Sequence, residues 1–569
     1  MNEQNQRKTK LQNPQENQPL TQLENQDIIH QFSFGHQPKM DLYSDEAKEY
    51  LHVKIDADPN DTNSLECLGI AYISDAKKTG DFKTGINYLF AALQKDPTNP
   101  IYIYNLGRAA LIYKNLQTAE AMFQAALSLK PDHINTLLGL CELYLETNQP
   151  DKAYHYIQTS KKLHPENDLV LTHEINYLID TRDFKKAEKL CLSLLVKYPY
   201  FINGHLTLAS VYNKQGRLKE GTKSYIRALR VCPNDPHLET NLALALLNQQ
   251  KMKSGFHFYR SRHKILGKSK SFEQVKHIPH WTGQDLTNKK LFIYLEQGIG
   301  DMINFIPSLQ TVLAKWNCTI YCLMYESLIP LFKQSIAHPS LHWMTDLSET
   351  KNLSFDYQTP LLDLLPNLNF SFTTIAWPRA YLKPSPERIS HWKEKLQAYK
   401  KPRIGINWQG NVMHKNDRNR SIPFETFMTI FDHHESFHLF NLHMPEPNNR
   451  PALTDLLSGS PVIDMTPQLH NFNDSAAFIM NLDLVITVDT ATAHLTGALG
   501  KKVLTLLALD NDWRWFESGD QTKWYPTMTL LRQQRYKDWT SVLAEAQNQI
   551  TTADTKRHLK IRLGIRNRQ

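Results

Sequence analysis

The stretch PIYIYNLGRAALIYKNLQTAEAMFQAALSLKPDH, residues 100–133, reads as two short amphipathic helices joined by a turn. Leu106, Gly107, Ala119, Phe123, Ala126 and Pro131 mark it. Working outward, prolines recur every 34 residues at Pro97, Pro131, Pro165, Pro199 and Pro233. Small residues keep the same period at Gly85, Ala119, Ala153, Ala187, Gly221 and Gly255. So do Leu106, Leu140, Leu208 and Leu242, and the residues four after each small one: Leu89, Phe123, Ile157, Cys191, Tyr225 and Tyr259. The small residue lets two helices approach closely. Proline has no amide donor and clashes with the preceding turn, so the second helix must stop before it. Several position classes sharing one period predict a helical repeat array. It covers residues 41–265 as five to six repeats, with about four residues inserted near Ser74–Lys77 in the first.

The remaining composition bounds the answer. Of 569 residues, 41% are hydrophobic and 21% charged, which fits a folded chain and excludes a collagen or a disulfide-stapled miniprotein. The formal charge of +8 is mild for this length and gives no ground for a nucleic-acid partner. Residues 1–40 are rich in Gln and Asn and are expected to be a disordered tail. The six cysteines contain no CxxC pair, which suits a reducing compartment. No run reaches the length of a transmembrane helix, and the start lacks the apolar core of a signal peptide. A cytoplasmic location is expected.

After the array the pattern changes. Short apolar runs alternate with amphipathic stretches: Leu291–Leu295, Thr319–Leu323, Ile404–Asn407, Phe437–Leu442, Leu484–Val488 and Val503–Leu507. Such alternation predicts parallel sheets covered by helices. We expect an α/β domain over 266–385, a hinge helix over 386–399 and a second α/β domain over 400–552. Two such domains facing across a cleft would form a ligand site.

Three loops carry candidate chemistry. The first, Glu296-Gln-Gly-Ile-Gly-Asp301, follows a strand. Gly298 and Gly300 would admit backbone close to a ligand, and Asp301 is either a helix cap or a general base. It fails as a dinucleotide fingerprint, since Ile303 stands where the third glycine belongs. The second loop runs from Asn407 to Pro423 and holds Lys415, Arg418 and Arg420, which suit phosphate oxygens or merely solvent. The third, Asp489-Thr-Ala-Thr-Ala-His494 and onward, opens a helix where an anion would be favoured. There Asp489, Thr490 and His494 are candidates, with a cap and a core histidine as the plainer reading.

The repeat resembles the tetratricopeptide repeat, whose arrays form a superhelix with a groove for a protein partner. The half after residue 285 resembles the heptosyltransferase-like glycosyltransferases, which have the GT-B fold of two facing Rossmann-like domains. The likeness lies in Gly300, Asp301 and Pro307 and in Asp489, Thr490 and His494. With EQGIGD, NDRNRSIP, DTATAHLTGALG and DWRW in order, the whole is similar to bacterial repeat-containing glycosyltransferases.

The resemblance implies roles. Asp301 would be the catalytic base for an inverting displacement by the acceptor hydroxyl. Gly298, Gly300, Asn407, Asp489, Thr490 and His494 would line the donor site, and Arg420 with Lys415 or Arg418 would meet the leaving diphosphate. It implies a nucleotide-sugar donor substrate, no cofactor and no metal. The acceptor would be a protein or a glycan- or lipid-linked hydroxyl, and the repeat groove would hold it or another protein. A scaffold with an inactive GT-B half is the alternative.

Departures from the family pattern bear on the donor. The loop Asn441-Leu-His-Met-Pro-Glu-Pro447 is unusual for these relatives. Asp510 and Asp512 make a D-x-D spacing, and His433, His434, His438 and His443 cluster, but neither is expected to bind metal. Trp513 and Trp515 are read as packing residues. The basic tail over 553–569 suits either an anionic membrane surface, peripheral to the inner membrane, or a frayed solvent-facing end.

Overall fold

The computed structural model describes residues 31–32, 40–41, 45–79, 82–165, 167–265, 275–351, 353–414, 416–431, 434–445 and 450–551. Most of the Gln/Asn-rich stretch, Lys415, His433 and the basic tail lie outside the described residues. Gln31–Phe32 pairs antiparallel with Met40–Asp41. The chain forms two compact units. One takes the residues up to 181 together with 189–204; the other takes 182–188 and everything from 205.

The 34-residue period is a period of helix pairs. First helices begin at Pro100, Ile134, Asp168, Ile202 and Pro236, and each is 13 residues long. Second helices end at Lys95, Leu129, Leu163, Lys197 and Val231, each two residues before a ladder proline. The inserted residues near Ser74 lengthen a helix instead of making a loop: Thr62–Thr79 has 18 residues. Within the first unit, Ala119, Phe123, Ala153 and Ile157 are fully buried in one core with Leu140 and Cys141. A Cβ on Gly85 would lie 2.8 Å from the Ile73 amide nitrogen, so only glycine allows that helix contact. The turn inside each pair carries a left-handed residue, at Lys114, Asn148, Arg182, Gly216 and Gln250.

The second unit contains the rest. Four strands, β1 (Lys290–Tyr294), β2 (Thr319–Leu323), β3 (Leu341–Met344) and β4 (Tyr357–Pro360), form a parallel sheet in the order β3-β2-β1-β4. Six more, β5 (Arg403–Asn407), β6 (His438–Asn441), β7 (Val462–Ile463), β8 (Leu484–Val488), β9 (Val503–Leu507) and β10 (Met528–Arg532), form a second parallel sheet. Its order is β10-β9-β8-β5-β6-β7, the doubly wound order. Alternate residues of its central strands enter two different cores, so both faces are covered. The predicted hinge helix is Pro386–Lys395, capped by Ser385, with Trp392 packed on Phe478 at 4.8 Å.

Packing is continuous across residue 265. Ala243, Leu247, Met252, Phe256 and Tyr259, from the last two repeat helices, belong to the same buried core as Leu291, Phe305, Val485 and Trp513. Lys214 forms an ion pair with Asp510 at 3.0 Å, and the Glu517 amide donates to the Asn248 carbonyl. Among the described residues, no helix is long and apolar enough to cross a membrane. All six cysteines are free; Cys232 is half-buried and the others are buried.

Candidate active site

Each sheet has a point where strand order reverses, and open α/β sheets bind ligands in the crevice there. In the first sheet it lies between β1 and β4; in the second it lies between β5 and β8. The three loops singled out from sequence follow β1, β5 and β8. They therefore cluster at the two reversals.

Asp301 sits in the first turn of the helix Ile299–Phe305. Its Oδ2 accepts the Gly298 amide at 3.1 Å, so it is a cap. Its Oδ1 is gripped by Arg514, which comes from the second α/β half. Arg514 also holds Asp512, at 2.9 Å, and is itself buried. Its guanidinium lies 4.5 Å from the Trp513 ring. Burial pushes the Asp301 carboxyl above its ordinary range; Arg514 pulls it down and Asp512 pushes it up. Burial outweighs the cation, so the group is more basic than a solvated aspartate. The loop carrying Arg514 is fixed from behind. Phe516 has a left-handed φ of 61°, and Arg532 donates to its carbonyl at 3.0 Å.

On the second half, Asn407 ends β5, and its amide donates to Thr492 at 3.0 Å and Thr490 at 3.3 Å. Thr490 caps the helix Ala491–Ala498 by position, with no side-chain hydrogen bond to the helix amides. Arg420 Nη1 donates to the Asp489 carbonyl at 3.0 Å, and its Nε to Asp417 at 3.2 Å. A Cβ on Gly410 would strike Arg420 at 2.5 Å, so this glycine makes room for the guanidinium. Burial pushes the Asp489 carboxyl up to about 6; Asp512 adds to the rise, while Arg420, Trp515 and Arg514 oppose it. Asp301, Arg514, Asp512, Asp489 and Arg420 thus form one field of mixed charge, with two like charges side by side at Asp512 and Asp489.

The other sequence candidates sit as follows. His494 is buried, stacks on Trp515 at 4.8 Å and hydrogen-bonds the Tyr525 hydroxyl at 2.9 Å. Burial lowers its pKa to about 3, so it is neutral. Gly300 packs against it: a Cβ there would come within 2.9 Å of the imidazole. Gly300 and His494 thus join the two α/β halves by close helix packing. Gly298 is exposed at the helix start. Arg418 is exposed, and Lys415 is among the residues not described. Asp510 and Asp512 turn to different cations, Lys214 and Arg514. Trp513 is buried and packs against Phe305, Phe256 and Tyr259. Among the described residues, no three His, Cys, Asp or Glu side chains converge as a metal site.

Sequence reasoning missed a second polar cluster. Arg262, from the end of the repeat array, bonds Glu296 at 2.7 Å and Asp363 at 2.6 Å. His263 and His280 also face Asp363, at 2.9 and 3.3 Å. Asp363 is buried, a penalty on its charge, yet Arg262 and the two histidines hold its carboxyl well below the ordinary range. Glu296 and Asp363 stand at the ends of β1 and β4, so this cluster fills the first sheet's reversal. Glu296 was visible in EQGIGD, and Arg514 in DWRW. Nothing in the spacing of Arg262 or Asp363 pairs them, because they are 101 residues apart.

Comparison with known proteins agrees with this architecture. Residues 110–172 match the tetratricopeptide repeat, and residues 443–527 match glycosyltransferase family 9 (heptosyltransferase). Protein FlbA of Caulobacter vibrioides is 24% identical over 502 residues, 83% of each chain. Human protein O-mannosyl-transferase TMTC3 is 23% identical over 156 residues, which is 27% of this chain and 17% of that one. Among solved structures, the glycosyl transferase family 9 protein from Veillonella parvula aligns with 49% of this chain and 99% of its own. That alignment has 11% identity and a TM-score of 0.36. The chain therefore joins tetratricopeptide repeats to a heptosyltransferase-like region, which supports glycosyltransferase activity in general terms.

Proposed function

We propose that the protein transfers a sugar from a nucleotide-diphosphate donor to an acceptor hydroxyl by a single displacement with inversion. Asp301 takes the hydroxyl proton as the oxygen attacks the anomeric carbon. The bond from that carbon to the diphosphate breaks, and the electron pair leaves with the phosphate oxygen. Arg420 and the start of the helix Ala491–Ala498 meet the charge that develops there. In this reading the leaving group is met by side chains and helix amides, without a metal or cofactor. Asn407, Asp489 and Thr490 orient the donor.

The observation that carries the reading is the placement of Asp301. It stands in the first turn of the helix that follows β1, raised in pKa by desolvation, and is bridged through Arg514 to the Asp512–Asp489–Arg420 field of the other half. A partly buried carboxylate of raised pKa beside a cationic edge suits an inverting displacement on a diphosphate donor. The repeats would recruit a protein or a glycan- or lipid-linked acceptor, in the cytoplasm or against the inner membrane face.

The test is turnover of a panel of nucleotide sugars, by release of nucleotide and inversion at the anomeric carbon. Asp301→Asn should retain donor binding and lose about 10²–10⁴-fold in rate. No turnover and no binding with any donor would leave the scaffold reading instead.

A further inference from the structure

The geometry points to the last repeat as a working part of the catalytic centre: Tyr259 and Arg262 act as positioning residues for the Glu296–Asp301 loop. This rests on the reading of Asp301 as the base.

The loop is short, glycine-containing and half-exposed, so its own bonds do not fix it. Glu296 is held by Arg262 Nε at 2.7 Å. Gln297 donates from its side chain to the Tyr259 hydroxyl at 3.1 Å, and its carbonyl accepts from Tyr325 at 3.1 Å. The Gly298 amide then reaches Asp301 itself. Of three consecutive loop residues, the first two are tied to the end of the repeat array.

The same repeat helix reaches Asp301 by a second route. In Met252–Tyr259, both Phe256 and Tyr259 pack edge-on against Trp513, at 6.2 and 6.5 Å. Trp513 immediately precedes Arg514, the cation on the Asp301 carboxylate. Arg262 is anchored at its far side by Asp363 and rests on the Tyr259 ring at 4.4 Å. A displacement of this helix would therefore move the capping loop and the counter-cation of Asp301 together. A general base misplaced by about 1 Å can lose about 10²-fold in rate.

The experiment uses the full chain with Tyr259→Phe, which deletes one hydroxyl, and Arg262→Lys, which keeps the charge but not the fork. Two quantities are read: hydrogen exchange of the amides over 296–305, and kcat and KM for donor turnover. Faster exchange confined to that segment, with kcat down about 10–10²-fold and donor KM within about twofold, is the expected result. Unchanged kcat in both variants overturns the proposal, whatever the exchange shows. A KM rise with kcat preserved also overturns it, because the residues would then serve binding. Should Arg262→Lys fail to fold, Tyr259→Phe decides alone. Should the wild type turn over no donor, the functional reading fails while exchange in Tyr259→Phe still decides whether the repeat holds the loop: unchanged exchange overturns it.

Discussion

The two parallel sheets end differently at their reversals. At the first, the chain supplies its own ligand: the Arg262 guanidinium, 3% exposed, lies between Glu296 and Asp363, which are 7% and 1% exposed. At the second, Asn407 and Thr490 lie buried behind the edge while Asp489 and Arg420 are only half-buried, with Arg420 14% exposed and bonded in part to a backbone carbonyl. The same winding thus makes a crevice twice. One has been filled to bind the repeat array to the sheet, and the other keeps polar groups at its mouth. Topology locates a site, but only the side chains placed there decide whether it is an anchor or a receptor.

The largest effect should come from the anchor. Arg262→Met leaves two buried carboxylates without their cation, a loss of about 3–5 kcal/mol. Thermal unfolding should show a lowered transition for the second unit, and a transition unmoved by the substitution would deny the anchor role. Arg420→Met should do the opposite: a small change in melting with a fall in transfer rate of about 10²–10³-fold. Equal profiles for the two variants would erase the contrast between the crevices.

A smaller effect tests how the halves are joined. Gly300→Ala puts a methyl 2.9 Å from the His494 ring and should cost about 1–3 kcal/mol of stability. Gly298→Ala should cost far less, since its nearest neighbour would be 3.6 Å away. Adding His494→Ala to Gly300→Ala should relieve the clash, so a double-mutant cycle should show strong coupling. Additive losses would mean that the two helices do not meet through this pair.

The sheets also show which strands can be read from sequence. The six apolar runs correspond to β1, β2, β5, β6, β8 and β9, which are all the interior strands. The four that went unread, β3, β4, β7 and β10, are the four edges. An interior parallel strand is buried on both faces and reads as an unbroken apolar run. An edge can carry His342, Gln358, Thr529 or Arg532, or shrink to the two residues of Val462–Ile463, and the run dissolves. The repeats were legible for the same reason: burial at small and aromatic positions is periodic. Their turn residues were not, since four of the five left-handed positions hold Lys, Asn, Arg or Gln instead of glycine. In the site, the loops were legible because they follow interior strands. Arg514 stood in the legible DWRW, but its pairing with Asp301 was not legible, nor was the Arg262 cluster, because those partners come from distant segments joined only by the fold.

The receptor crevice makes one pH-dependent claim that the anchor does not. Asp489 has its carboxyl pushed up to about 6, first by burial and then by Asp512. In the unfolded chain it titrates near about 3.9. Between these values the native state binds more protons than the unfolded state, so stability falls as pH rises. The contribution is full below about 4 and is lost through about 6. Asp363 runs the other way: its depressed carboxyl stabilises above the ordinary range and fails only as pH drops through its lowered value. Asp489→Asn should therefore gain on the wild type as pH rises from about 4 to about 6, then hold a constant difference. Asp512→Asn should move the Asp489 step to lower pH, because one repelling charge is gone. Denaturation across that window measures both variants. A wild-type difference that is flat with pH would mean that Asp489 is not buried beside a like charge, and the crevice would lose the feature that most separates it from the anchored one.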